Sequence, residues 1–177
     1  MSRAVLISIR PKWCEKIANG EKAIEVRKTR PKMETPFKGY IYCTQSADML
    51  WILKERERSL HPDKIADVFK AAKCGGAYRG NGKVIGEFVC DGIYPIRYTM
   101  DGFADVVDCN RSLLKPSDFI TYGKGKPLYG WHISNLKFYD DPKELSEFTG
   151  LRKTKFGMEP VTITRPPQSW GYVEELP

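Results

Sequence analysis

Lys22, Glu25 and Arg27 place an amine, a carboxylate and a guanidinium within six residues of one another. A carboxylate can hold a lysine in its protonated form, and a guanidinium can bind two oxygens of a phosphate or carboxylate at once. The three side chains could therefore form a site for a polar or anionic ligand. The alternative is a solvated strand that carries an ion pair on its surface.

The elements around these residues predict a helix-to-strand corner. The Asn-Gly pair at 19–20 is expected to end a short helix, because glycine adopts the left-handed conformation that closes helices. Residues 23–27 then alternate in polarity, with Ile24 and Val26 on one face of a strand. The carboxylate and the guanidinium therefore share the opposite face, and Lys22 lies in the turn between the helix and the strand.

Positive charge is concentrated around this stretch. The chain carries a formal net charge of +7, and residues 1–40 hold ten Lys and Arg against four acidic residues, an excess of six. Such a field attracts polyanions, of which nucleic acid is the commonest in a cytoplasm. The charge favours a nucleic-acid partner without identifying it.

Length and composition indicate an ordinary soluble protein. A chain of 177 residues suits one well-packed core, so we expect a single domain over 1–177. The sequence has no apolar run long enough for a membrane span and begins without a signal-peptide pattern. The five cysteines are widely spaced, which predicts free thiols in a reducing cytoplasm and neither a metal site nor a cofactor: Cys14, Cys43, Cys74, Cys90 and Cys109.

Hydrophobic patterning predicts five or six strands and several short helices. Strands are expected near 4–9, 23–27, 39–44, 83–90 with a continuation at 93–96, 129–139 and 168–173, and helices near 11–18, 115–123 and 141–148. Residues 46–82 are interpreted as a helical insertion, with one helix continuing through 58, a second from Pro62, and a flexible glycine-rich end. Residues 152–165 are basic and are expected to be irregular. This order of elements favours an α+β fold built on a small β-barrel.

Five further residues are candidates for the same ligand site. Ser8 and Arg10 end the first strand and could line the cleft beside Lys22. Tyr42, Trp131 and Trp170 could stack on a nucleic-acid base, a contact worth roughly 1–3 kcal/mol where it forms. Structural roles are the alternative for all five, because aromatic residues in strands commonly belong to the core.

The charged stretch resembles the signature of the ASCH family, a branch of the PUA-like superfamily of small β-barrels. The signature is similar to G-x-K-x-x-E-x-R, which Gly20, Lys22, Glu25 and Arg27 match. Residues 8–11, 82–88, 131–134 and 142–145 also look like bacterial and phage members, so the resemblance covers nearly the whole chain. It implies a PUA-like barrel with a cleft beside the signature that holds RNA or a modified nucleotide.

The resemblance also implies an enzymatic alternative. Some small ASCH proteins are amidohydrolases that remove the acetyl group of N4-acetylcytidine with the signature lysine, a threonine and a glutamate. Lys22 matches that lysine, whereas Glu25 stands where the threonine is expected. An ionised carboxylate cannot donate a proton to a developing oxyanion and would keep Lys22 protonated, which suits binding better than catalysis.

Two functional hypotheses follow. The first is a non-catalytic module that binds RNA or a nucleotide-like ligand, with no membrane partner. The second is a hydrolase of a modified nucleoside or, like a ribonuclease, of RNA itself, with Lys22 and Glu25 as the catalytic residues. A third role, protein interaction through the insertion at 46–82, depends only on the presence of that segment.

Overall fold

The computed structural model describes residues 2–60, 72–99, 102–103 and 109–177. Helices in this part of the chain include α1 (Pro11–Ala18), α2 (Glu55–Leu60), α3 (Pro116–Gly123) and the 3-10 turns Cys109–Ser112 and Leu145–Glu147. The strands are β1 (Arg3–Ile9), β2 (Ile24–Arg27), β3 (Phe37–Cys43), β4 (Trp51–Leu53), β5 (Ala77–Arg79), β6 (Val84–Ile96), β7 (Tyr98–Thr99), β8 (Gly102–Phe103), β9 (Leu128–Lys143), β10 (Thr149–Thr154), β11 (Gly157–Thr162) and β12 (Trp170–Glu174). No helix in the described ranges is both long enough and apolar enough to cross a membrane.

Eight strands form one sheet in the order β11-β10-β12-β1-β3-β6-β9-β2. β1 pairs in parallel with β3 and antiparallel with β12, and the other neighbours are antiparallel. The pairs β4–β5 and β7–β8 form two small separate sheets. The α+β class is therefore confirmed, with more strands than the sequence predicted. Within the described ranges the large sheet does not close on itself, so the barrel stays a prediction.

β1 lies in the interior and packs on both faces. Val5, Ile7 and Ile9 contribute to one buried cluster, and Ala4 and Leu6 contribute to a second cluster on the other side of the sheet. A strand that is buried on both faces must be aliphatic throughout, which explains why its sequence is apolar and does not alternate. β1 therefore gives the sheet a rigid centre beside the charged stretch.

The interpretation of residues 46–82 as helical is wrong in two places. β4 occupies residues predicted to be helical, and β5 pairs with it where a flexible glycine-rich loop was expected. Leu50 and Ile52 are buried in the main core cluster, so tertiary packing overrides the helical pattern of the charged residues that follow. Helix α2 begins only at Glu55. The second predicted helix, from Pro62, lies largely outside the described residues.

The prediction that residues 152–165 are irregular is also wrong. β10 and β11 form an antiparallel hairpin there, and β11 lies at the edge of the sheet. Charged side chains obscured the strand pattern because an edge hairpin is exposed on much of both faces. Charges and a proline, here Pro160, are typical of edge strands, since they discourage pairing with other chains.

Candidate ligand-binding site

The corner that carries the signature forms as the sequence predicts. Helix α1 begins with Pro11, and Gly20 follows it in the left-handed conformation with φ +73°. β2 then buries Ile24 and Val26 in a small apolar cluster with Phe119 of α3. This packing fixes the strand, so its charged side chains are held on the opposite face.

Lys22, Glu25 and Arg27 are all buried, with exposed fractions of 3%, 7% and 8%. This excludes the alternative of a solvated strand. The Glu25 carboxylate lies between the two cations, with Oε1 2.9 Å from Nη2 of Arg27 and Oε2 3.4 Å from Nζ of Lys22. We call the three residues the charged cluster. With all three groups ionised, its formal charge is +1.

Lys22 is fully engaged within the protein. Its Nζ donates hydrogen bonds to the carbonyl oxygens of Ile24 and Ser112, both at 2.7 Å, and its third partner is Glu25. A protonated lysine has three N–H donors, so the ammonium has no donor left for a ligand. Its Nζ also lies 5.0 Å from the ring centre of Trp13. In this arrangement Lys22 positions Glu25 and does not itself reach outward.

Arg27 joins the cluster to the first strand. Its Nη2 donates to the Ser8 carbonyl oxygen at 2.7 Å, and its Nη1 lies 3.4 Å from Oγ of Ser169. The buried Nε has no hydrogen-bond partner among the described residues. Buried N–H groups are almost always paired, so Arg27 is the member of the cluster whose hydrogen bonds the described residues leave incomplete.

Ser8 and Arg10 lie at different distances from the interior. Ser8 contacts the cluster through its backbone, while its Oγ donates to the carbonyl oxygen of Pro167 at 2.6 Å. Arg10 is exposed at the residue before α1. The structure therefore brings Ser8 to Arg27 and leaves the Arg10 side chain in solvent.

The three aromatic candidates occupy three environments. Trp131 is fully buried and lies opposite Glu25 in the β2–β9 pairing. Trp170 is half-buried, and its ring centre is 5.7 Å from that of Trp131. Tyr42 is 5% exposed and packs in the core cluster on the other side of the sheet. Of the three, Trp170 is the one with substantial exposed surface.

Sequence reasoning missed several partners of the charged cluster. Ser112 and Ser169 have no motif that marks them, and they are 90 and 142 residues away from Lys22 and Arg27. Trp13 was assigned only to the apolar face of α1. Trp13 lies on the helix that ends at the corner, and this position is the signal in the sequence that could have suggested its contact with Lys22.

Burial lowers the pKa of the Lys22 amine, and the neighbouring Glu25 carboxylate only partly opposes this effect. Between the lowered pKa of the folded protein and the usual value near 10.5, the unfolded chain binds more protons than the folded protein. The destabilising effect of a buried ammonium is therefore complete below the folded-state pKa and disappears as pH rises to the unfolded value.

We expect the stability of the wild-type protein to rise relative to that of Lys22→Met as pH is raised through the alkaline range toward the usual lysine pKa of about 10.5. Urea unfolding of both proteins at each pH gives the difference, and shared effects of other titrating groups cancel. Stability curves that run parallel across this range would contradict the assignment.

Two cavities lie away from the charged cluster. One, of about 730 Å³, is lined by residues that include Arg3, Lys32 and Lys38, and the other, of about 580 Å³, lies beside Arg58 and Asp140. Neither contains a residue of the cluster in its lining. In the described part of the chain, no group of three or more His, Cys, Asp or Glu side chains is placed to hold a metal ion.

The comparison with solved structures identifies the fold. No family model matches the sequence. No curated protein matches it. The crystal structure of ASCH from Zymomonas mobilis aligns with 97% of this chain and 88% of its own, at 14% identity and a TM-score of 0.51. A serine-to-alanine variant of that protein aligns with 97% of this chain and 89% of its own, at 15% identity and a TM-score of 0.49. The first of these alignments shows that the protein has the fold of an ASCH domain, as the signature predicts.

Proposed function

We propose that the protein binds RNA or a nucleotide-like ligand at the surface beside the charged cluster. The observation that carries the proposal is the state of Arg27, which is buried in a cluster with a surplus positive charge and whose Nε has no hydrogen-bond partner among the residues that the structure describes. Burying charge is costly unless it is compensated. A phosphate bound at the surface beside Arg27 would balance the surplus charge of the cluster.

The surroundings of the cluster suit a polyanion that also carries flat bases. Exposed cations lie on α1 and just after β2. Three of them lie over aromatic rings, at 5.2, 4.8 and 5.8 Å from the ring centres: Lys12 over Trp13, Lys28 over Tyr122 and Arg30 over Tyr129. Cations beside aromatic faces can contact phosphates and bases together. For base stacking we retain Trp170 alone, because Tyr42 and Trp131 pack in the interior.

Hydrolysis of a modified nucleoside or of RNA is the second candidate. The lowered pKa of Lys22 favours it, since a neutral amine can act as a base. The three acceptors around Lys22 oppose it, because the amine would have to leave them to reach a substrate. Binding without turnover is therefore the primary proposal. Release of product from N4-acetylcytidine or RNA, detected by mass spectrometry and lost in Lys22→Ala, would replace it with the second.

The binding proposal is tested by titrating labelled single-stranded RNA and a mononucleotide into wild-type protein, Arg27→Gln and Lys137→Gln. Lys137 is exposed on β9 away from the cluster, and its replacement removes the same charge. We expect Arg27→Gln to weaken the binding of both ligands about 10- to 100-fold, which is the range for the loss of a hydrogen bond to a charged group. The control Lys137→Gln should leave mononucleotide binding unchanged.

Thermal melts and the variant Arg27→Lys distinguish loss of binding from loss of fold. Arg27→Lys keeps the charge but loses the planar fork, so it should bind more weakly than wild type while remaining folded. Equal binding by all variants, or no binding by the wild-type protein, would contradict the proposal.

A further inference from the structure

The β10–β11 hairpin presents an aromatic side chain to solvent. Thr154 pairs with Gly157, so the connecting loop consists of Lys155 and Phe156 alone. Phe156 is 83% exposed, and the Nζ of Lys155 lies 4.8 Å from its ring centre. The loop is held by its own hydrogen bonds, in which the backbone N–H of Phe156 donates to Oγ1 of Thr154 at 3.2 Å.

Stability does not account for this loop sequence. A phenylalanine stabilises a fold by the area that it buries, and Phe156 buries little. The positive φ of this loop is carried by Gly157, at +133°, so the turn places no special demand on Lys155 or Phe156. The turn therefore accepts an exposed phenylalanine without requiring one, and a contact outside the fold is the role left for the ring.

The hairpin is basic. Residues 149–162 contain three cations and one acid, and all four are exposed: Arg152, Lys153, Lys155 and Glu159. Glu159 lies opposite Arg152 in the strand pairing, so that cation has a neighbour of opposite charge. Lys153 lies opposite Met158 and faces solvent with its charge. The tip therefore combines a flat apolar ring with two adjacent ammonium groups.

The face of the sheet that carries Lys153 continues to the charged cluster. Residues two apart on a strand share a face, so Lys153 lies on the side of Leu151, which pairs with Tyr172 of β12. The Tyr172 ring lies 5.4 Å from that of Trp170, whose other neighbour is Trp131 beside Glu25. From Leu151 to the loop the strand runs about 10 Å further. The path from Arg27 past Trp170 and Tyr172 to the loop is longer than this last part alone. A bound chain of several nucleotides could contact both ends of the path, and a mononucleotide could contact only one.

We propose that the β10–β11 hairpin is a second contact for single-stranded RNA whose first contact is at Arg27. Phe156 stacks on a base, and Lys153 and Lys155 neutralise neighbouring phosphates. The inference rests on the proposed RNA-binding function and adds the substrate class: an extended single strand that passes Trp170 and Tyr172 to reach the hairpin. A mononucleotide would occupy only the Arg27 end.

The test compares a labelled single-stranded RNA of about 12 nucleotides with a mononucleotide. The variants are Phe156→Ala and the double variant Lys153→Gln/Lys155→Gln. Matched controls are Ile120→Ala, which removes an apolar side chain that is 51% exposed on α3, and Lys137→Gln. All five substitutions in these four variants are at exposed positions, so melting temperatures should change little.

Phe156→Ala is expected to weaken oligonucleotide binding about 5- to 100-fold and to leave mononucleotide binding unchanged. The double lysine variant should lower the slope of log K against log salt concentration by about 1.4, which corresponds to two phosphates on a single strand. Phe156→Trp should bind the oligonucleotide at least as tightly as the wild-type protein does, since any aromatic ring can stack on a base.

Failure of the hairpin and failure of the first site give different results. Oligonucleotide binding that is unaffected by Phe156→Ala but weakened by Arg27→Gln would overturn the hairpin contact and leave the proposed function in place. Mononucleotide binding that is unaffected by Arg27→Gln would overturn the proposed function instead. Stronger, Phe156-dependent binding to phosphatidylserine vesicles than to RNA would assign the hairpin to a lipid surface and overturn the inference.

Discussion

Replacing Glu25 with alanine is expected to lower the free energy of unfolding by about 3–5 kcal/mol. The carboxylate is the only described partner of opposite charge between Lys22 and Arg27, and all three side chains are buried. Its removal leaves two cations facing each other in the interior, where water cannot screen them. Urea unfolding followed by circular dichroism measures the change.

A surface acid provides the matched control. Glu21 pairs with Lys16 at 2.7 Å, but both side chains are substantially exposed, so Glu21→Ala should cost less than about 1 kcal/mol. The double variant Lys22→Met/Glu25→Ala should be less destabilised than the sum of its single changes, because the unpaired ammonium is also removed. If Glu25→Ala lowered the free energy of unfolding no more than Glu21→Ala does, the stabilising role of Glu25 in the charged cluster would be refuted.

Trp131→Ala is expected to cost about 3–5 kcal/mol, the range for deleting a large buried aromatic side chain. Trp131 is fully buried and packs edge-on against Phe37, with ring centres 5.9 Å apart. Its loss would leave a cavity next to the side chain of Glu25, since the two residues are paired across β2 and β9 and share one face of the sheet. Calorimetric unfolding of the purified variant gives the change in stability.

Trp170→Ala should behave differently. The side chain is half-buried, and its Nε1 donates to Oγ1 of Thr29 at the surface at 3.0 Å. We expect a smaller loss of stability than for Trp131→Ala, and weaker RNA binding by about 5- to 100-fold from the lost stack. The conservative variant Trp131→Phe should retain both properties largely intact. A stable Trp131→Ala protein that fails to bind RNA would reverse these assignments.

The local parts of the fold were accessible from sequence. The aliphatic run of β1, the apolar face of α1, the Asn-Gly stop at 19–20 and the alternation in β2 all predicted elements that the structure contains. These signals come from residues within one element, where periodicity and backbone preference act directly. The identification of the ASCH fold depended on the same short stretch together with its resemblance to a known signature.

The parts that failed depend on contacts between distant residues. β4 was taken for a helix because the charged residues after it suit a helix, whereas the burial of Ile52 decides its conformation. β10 and β11 were taken for irregular chain because an edge hairpin shows no clean alternation. The proximity of Lys22, Glu25 and Arg27 was predictable from spacing, but their burial was not, since it requires the elements that cover them.

The parallel pairing of β1 with β3 and its antiparallel pairing with β12 affect when the candidate site is assembled. Ser8 contacts Pro167 across a separation of 159 residues, and Arg27 contacts Ser169 across 142. Contacts so distant in sequence form slowly, because a long loop must close first. On the ribosome, the stretch that bears the signature emerges long before the strand that holds Trp170. A nascent chain would therefore carry Lys22, Glu25 and Arg27 before Trp170 is in place, and the proposed RNA site would be complete only after the last strand of the sheet has docked.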